Sequence, residues 1–263
     1  ITKLKTQEPM NNVEIAPLFI VGLQKSGTTL LNRLLIEQPE IYFSPFKLEG
    51  RAFWGDDPPF SPTAFPCGQL YQKYNGNHGH ELSNVDFEKE DRDVLYKRIK
   101  YVDWKAPILI NKNPYNSVRI SWLKAMFPNC KIVAMVRNPY ANVYSLLKKH
   151  IPHEGRGLGP EAGWWGVKPK KWQRLVSKNK VVQLACQWKE VNSHLLNNTQ
   201  NIDLFIEYKS LCESPSHILN EIADLYGIDA TNHPVPELSC LDNEYKNGGK
   251  LLSKNREYKN SQS

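Results

Sequence analysis

The apolar run Leu18-Phe19-Ile20-Val21 ends at Gly22, and Gln24-Lys25-Ser26-Gly27-Thr28-Thr29 follows almost at once. A short apolar run bounded by Pro17 and Gly22 predicts a buried strand. The next stretch, TLLNRLLIEQ, puts Leu30, Leu31, Leu34 and Leu35 on one helical face, and Pro39 stops it. Strand, Gly-rich loop and helix in that order make an anion cradle. Backbone N–H groups converge in the loop and the helix start adds its positive end. The cradle is nevertheless unlike that of a nucleotide hydrolase, which reads G-x-x-x-x-G-K-[ST]. Gly22 and Gly27 keep the spacing, but Thr28 stands at the lysine position and Lys25 precedes Gly27. In a hydrolase the late lysine reaches the terminal phosphates and the next hydroxyl holds magnesium. Thr28 cannot supply that charge, and the best later strand ends in Arg137 rather than in an aspartate.

Further strands are predicted at Ile41-Tyr42-Phe43, Ile108-Leu109-Ile110, Lys131 to Arg137 and Ile202 to Tyr208. Helices are predicted from about Ser117 to Phe127, from Pro139 through Lys149, from Lys180 to Leu196, and from Pro215 to Tyr226 with Gly227 as stop. Glu49 to Leu82 reads as an irregular loop rich in Pro, Gly and aromatics, and His150 to Lys171 as a long functional loop. Alternating strands and helices predict an α/β chain: a three-layer P-loop fold with a central, mostly parallel β-sheet flanked by helices. The expectation is one domain over residues 1–263. Ligands in such sheets bind beyond the carboxyl ends of the strands. The informative stretches are therefore Gly22 to Thr29, Asn111 to Pro114 and Arg137 to Ser145.

Read against known families, Lys25-Ser26-Gly27-Thr28-Thr29 resembles the K-S-G-T-T loop of the PAPS-dependent sulfotransferases, PAPS being 3′-phosphoadenosine-5′-phosphosulfate. Arg137-Asn138-Pro139, with Ser145 eight residues after the arginine, is similar to their second signature, R-[DN]-P…S. Tyr208-Lys209-Ser210-Leu211-Cys212-Glu213-Ser214-Pro215 is a degenerate form of the third, Y-E-D-L-x-x-x-P. The resemblance covers roughly Pro17 to Ile228. It implies that Lys25, Ser26, Gly27, Thr28 and Thr29 bind the 5′-phosphosulfate and that Tyr208 lies near the adenine. It also implies a 3′-phosphate site at Arg137 and Ser145. An arginine fork with a serine two helical turns along suits that group. The implied reaction is in-line sulfuryl transfer to a hydroxyl or amine, driven by positioning and charge stabilisation. Lys25 would stabilise the departing phosphate, and no metal is required.

The acceptor hydroxyl needs a base. The small-molecule branch of the family carries K-[TS]-H, where this chain has Lys112-Asn113-Pro114; Leu30 also replaces a frequent tryptophan. Both departures turn the resemblance toward the glycan and tyrosyl-protein branches. There Lys47-Leu48-Glu49-Gly50-Arg51-Ala52-Phe53-Trp54 looks like a K-E-x-x-F-F segment with shifted spacing. That likeness makes Glu49 the expected base and gives Lys112 an orienting role at the acceptor or sulfonate. His150 and His153 are the rival bases. The acceptor is expected to be a carbohydrate or another natural-product or lipid-type hydroxyl compound. Trp164, Trp165 and Trp172 are candidates to stack on it.

A net charge of +7 fits an anionic ligand. Two other classes fit it too: a P-loop kinase or NTPase, and a non-catalytic basic anion-binding module. Thr28 weighs against the first and the second phosphate signature against the other. No nucleic-acid-binding motif is visible. Five scattered cysteines without a C-x-x-C pair argue against zinc, and they fit a reducing, cytoplasmic setting. A removed signal or anchor is left open, and no apolar run is long enough to span a membrane. The tail segment Lys246-Asn247-Gly248-Gly249-Lys250 is a further candidate to close over the nucleotide.

Overall fold

A computed structural model describes residues 16–44, 78–101, 106–154 and 163–230, with the side chains of 94, 98, 100–101 and 150–154 outside that description. Five strands form one sheet: β1 (Leu18–Val21), β2 (Tyr42–Phe43), β3 (Ile108–Lys112), β4 (Lys131–Val136) and β5 (Leu204–Glu207). Their order is β2-β3-β1-β4-β5, and every pairing is parallel. The central strand β1 is buried on both faces, which explains its unbroken apolar sequence.

Side chains alternate across β1 and build two cores. Leu18 and Ile20 pack with Leu30, Leu31 and Leu34 of helix α1 (Thr28–Ile36). Phe19 and Val21 face the other way and pack with Leu95 and Ile99 of α2 (Lys89–Tyr101) and with Leu123 of α3 (Ile120–Met126). This alternation with period two yields the expected three layers. Burial of each large side chain stabilises by about 1.5–3 kcal/mol, so β1 anchors both cores. A third cluster joins Leu23, just after β1, to α4 (Pro139–Glu154) and α5 (Lys180–Leu196) through Val143, Leu146, Leu184 and Val191. The last elements among the described residues are α6 (Tyr208–Glu213) and α7 (Pro215–Asp224).

Several boundaries differ from the sequence expectations. Asn138 caps α4 through bonds from the amides of Tyr140 and Ala141, and the helix runs past Lys149 to Glu154. His150 and His153 therefore sit on a helix rather than opening a loop. The helix expected from Ser117 is split into a tight 3-10 turn over Pro114–Val118 and α3, because Asn113 caps the turn at Tyr115. Strand β5 stops at Glu207, and Tyr208 begins α6. Helix α2 has no counterpart in the sequence expectations: its charged start, Lys89 to Asp93, hides the Leu95–Ile99 spacing. Among the described residues no helix is long and apolar enough to cross a membrane.

Candidate active site

Sheet order brings three expected stretches to one edge. Strand β1 lies between β3 and β4, with Ile20 opposite both Lys112 and Val133. The segments leaving these strands therefore meet above their carboxyl ends. The amide of Gly22 donates to Ser117 Oγ at 2.7 Å, tying the loop to the turn after β3. A Cβ on Gly22 would lie 2.6 Å from the Met135 carbonyl oxygen on β4, so only glycine fits there.

The loop is also held from outside. Arg137 Nη1 donates to the Lys25 carbonyl at 2.9 Å, and Asn142 Nδ2 donates to the Gln24 carbonyl at 3.0 Å. Both bonds draw loop carbonyls outward, leaving the interior to N–H donors. Lys25 itself has φ 70°, a left-handed conformation uncommon for a residue with a side chain. Gly27, at φ 112°, precedes α1, whose start has no side-chain cap and no acidic residue in the first turn. The first amides of α1 have no intrahelical partner and form an uncompensated positive helix end. Such a helix start suits an anion.

Arg137, at the end of β4, is 3% exposed. Its guanidinium lies 4.3 Å from the centre of the Tyr208 ring, and its carbonyl accepts from Trp188 Nε1 at 3.1 Å. The Tyr208 ring also packs on the loop, where a Cβ on Gly27 would come 2.5 Å from it. Burial pushes the Tyr208 phenol well above its ordinary value, so the ring stays neutral beside the arginine. Burial also works against the Arg137 charge and lowers its pKa.

The hydroxyls buried in this region without a hydrogen-bond partner include Ser26 Oγ in the loop and Ser145 Oγ on α4. An unsatisfied buried hydroxyl costs about 1–3 kcal/mol. Two of them, beside a helix start and a buried arginine, fit a ligand with an anionic group at each end. The residues present thus suit a nucleotide carrying 5′ and 3′ phosphates.

Beside the loop lies a cleft of about 290 Å³, lined by Lys25, Thr28, Thr29, Tyr115, Lys149 and Trp165 among others. Arg137 and Ser145 do not line it. Lys112 ends β3 and is buried, outside the cleft lining. Glu49 and the Lys246–Lys250 segment fall outside the described residues, as do the side chains of His150 and His153. Trp164 and Trp172 do not form an open stacking platform. They pack edge-on at 5.5 Å and are buried, and only Trp165 of the three reaches the cleft. Sequence reasoning missed Asn142, Lys149, Tyr115 and Trp188. Asn142 alone carried a usable signal, lying one helical turn from the cap at Asn138.

The fold defines an α/β protein of the P-loop type, with a parallel sheet and a glycine loop at the carboxyl end of its central strand. Comparison with known proteins narrows the class: the sulfotransferase family matches residues 17–232, and the chain belongs to it. A putative protein-tyrosine sulfotransferase of Caenorhabditis briggsae is 23% identical over 213 residues, covering 79% of this chain and 64% of that protein. Protein-tyrosine sulfotransferase 1 of Homo sapiens is 26% identical over 147 residues, 54% of this chain and 36% of that protein. The chain thus spans less than two thirds of the length of these relatives. A solved sulfotransferase of Mycobacterium avium shares the fold, with a TM-score of 0.50, 16% identity, and coverage of 85% of this chain and 67% of that one.

Proposed function

We propose that this chain transfers the sulfuryl group of PAPS to an acceptor hydroxyl. The observation that carries the reading is the pair of orphaned hydroxyls, Ser26 Oγ in the loop that Arg137 braces and Ser145 Oγ on the helix that follows Arg137. In this reading the loop and the start of α1 hold the 5′ end of the donor, and Arg137 with Ser145 hold the 3′-phosphate. Tyr208 fixes the arginine in place.

The acceptor oxygen attacks sulfur as the bond between sulfur and the bridging oxygen breaks. The hydroxyl proton passes to a base, for which we assign Glu49, and the bridging oxygen leaves on the 5′-phosphate. Lys25 lines the cleft where that negative charge accumulates, and a flexible ammonium suits the role. Lys112, at the end of β3, orients the acceptor or the sulfonate. The curated relatives act on protein tyrosine by name, which adds a phenol to the sugar and natural-product hydroxyls suggested by the glycan-type segment.

The test is calorimetry with adenosine 3′,5′-bisphosphate against ATP plus magnesium. Tight binding of the bisphosphate, lost in Arg137→Ala, supports the reading; preference for ATP plus magnesium sinks it. An acceptor screen with labelled PAPS then addresses transfer. In that screen Glu49→Gln retains bisphosphate binding and loses turnover, whereas unchanged turnover removes Glu49 as the base.

A further inference from the structure

The cleft beside the loop shares Lys25, Thr28 and Thr29 with the donor site, but its far wall is made of Tyr115, Lys149 and Trp165. Neither Arg137 nor Ser145 lines it, so the cleft is not the site assigned to the 3′-phosphate. Its volume of about 290 Å³ lies at the lower edge of ordinary ligand pockets, room for a single ring with a short substituent.

Both aromatic walls are fixed from behind. Gln187 Nε2 on α5 donates to the carbonyls of Trp165 at 3.0 Å and Val167 at 2.9 Å. The Tyr115 ring lies 4.2 Å from that of His80, whose Nδ1 accepts from the Lys168 amide at 2.9 Å. Walls set in advance spare a ligand the cost of ordering them. Lys149 lies one turn beyond Ser145 on α4, and among the described residues no ion pair engages it. The cleft lining contains two lysines and no carboxylate. With a donor bound, Lys25 faces its phosphosulfate and Lys149 is the cation left for the acceptor.

We propose that Tyr115, Trp165 and Lys149 form an acceptor subsite for a ring-bearing hydroxyl compound that carries a carboxylate, the ring lying against the aromatic walls and the carboxylate on Lys149. The inference rests on the sulfuryl-transfer reading and adds the acceptor class to it.

The test uses the full chain saturated with adenosine 3′,5′-bisphosphate, titrated by calorimetry with 4-hydroxyphenylacetate and with its neutral counterpart 4-(2-hydroxyethyl)phenol. The acid binds about fivefold more tightly, the upper end for one solvent-exposed ion pair. Lys149→Gln removes the preference while bisphosphate affinity stays within twofold, and Lys149→Arg keeps it. Equal affinity for the two probes, no binding of the acid, or a preference that survives Lys149→Gln overturns the subsite. Failure of wild-type protein to bind the bisphosphate overturns instead the donor reading on which the subsite depends.

Discussion

Gly27 is where the loop, the Tyr208 ring and the buried Arg137 meet, and Gly27→Ala tests that junction. The substitution has two separable costs. At φ 112° a residue with a Cβ is strained by about 1–3 kcal/mol. The new methyl would also stand 2.5 Å from the Tyr208 ring, overpacking that typically costs about 1–3 kcal/mol more. A total near 3 kcal/mol lowers the melting temperature of a chain this size by about 6–12 °C. Because the ring must retreat from a position 4.3 Å from Arg137, bisphosphate binding weakens as well, by at least about tenfold at temperatures where the variant is folded.

The assay is a double-mutant cycle with Tyr208→Leu, followed by urea denaturation. Leucine removes the ring edge that the methyl would strike and leaves the φ strain in place. The cycle should show a coupling of about 1–2 kcal/mol, with the double variant less damaged than the two single changes predict together. A Gly27→Ala variant that melts within about 2 °C of wild type would falsify the steric argument. So would a coupling indistinguishable from zero, which would leave strain without contact.

Three other perturbations follow from the same geometry. Arg137→Lys keeps a charge but loses the fork that bonds the Lys25 carbonyl and lies against Tyr208, so calorimetry should show bisphosphate binding about 10- to 150-fold weaker; retention within threefold refutes the bracing role. Ser145→Ala removes a buried hydroxyl that has no partner, so the empty protein should be no less stable in urea while its affinity for the 3′-phosphate drops; a loss of stability without a loss of affinity counts against the site. Burial, then the charges of Arg119 and Lys168, pull His80 down to about 3, so its contribution to stability is complete above pH 6.5 and is lost as pH falls toward 3. Between pH 7 and 5.5 that loss is about 1.2 kcal/mol, and His80→Asn, which keeps an acceptor for the Lys168 amide, should lose that much less; an equal loss in both proteins refutes the assignment, since His194, also held low by burial, titrates in each.

What could be read in the sequence was what local chain physics decides. The β1 run, the glycine loop and the leucine face of α1 are neighbours in the chain, and each needs the next to be buried or satisfied. Arg137 and Ser145 were singled out by the R-[DN]-P…S resemblance, and the helix that starts at Pro139 carries the serine two turns on from the arginine. The cleft was not legible because its walls meet only through tertiary contacts. Trp165 reaches it because Gln183 and Gln187 of α5 hold the carbonyls of Gly163 and Trp165, while its neighbours Trp164 and Trp172 turn inward. Composition treats three tryptophans in a basic loop alike; buried glutamines on a different helix separate them. Lys149 offered no signal at all, being one more lysine at the end of a helix until Tyr115 and Trp165 are placed opposite.

The displaced lysine has its own physical logic. In this loop Lys25, two residues before the second glycine, is left-handed, and its carbonyl is the acceptor for Arg137, 112 residues later. In the proposed reading, a lysine at this position puts the ammonium assigned to the 5′ end of the donor on the residue whose backbone is held by the arginine assigned to the 3′ end. A lysine at position 28 would sit in the first turn of α1, where Thr28 is buried, with no such bond to the arginine. The bracing has a consequence for order of binding. An anion on Arg137 and Ser145 pulls on the same guanidinium that sets the Lys25 backbone, so occupation of the 3′ site should tighten the loop that receives the phosphosulfate. A donor lacking the 3′-phosphate then loses more than its direct contacts at Arg137, because the loop it meets is less well held.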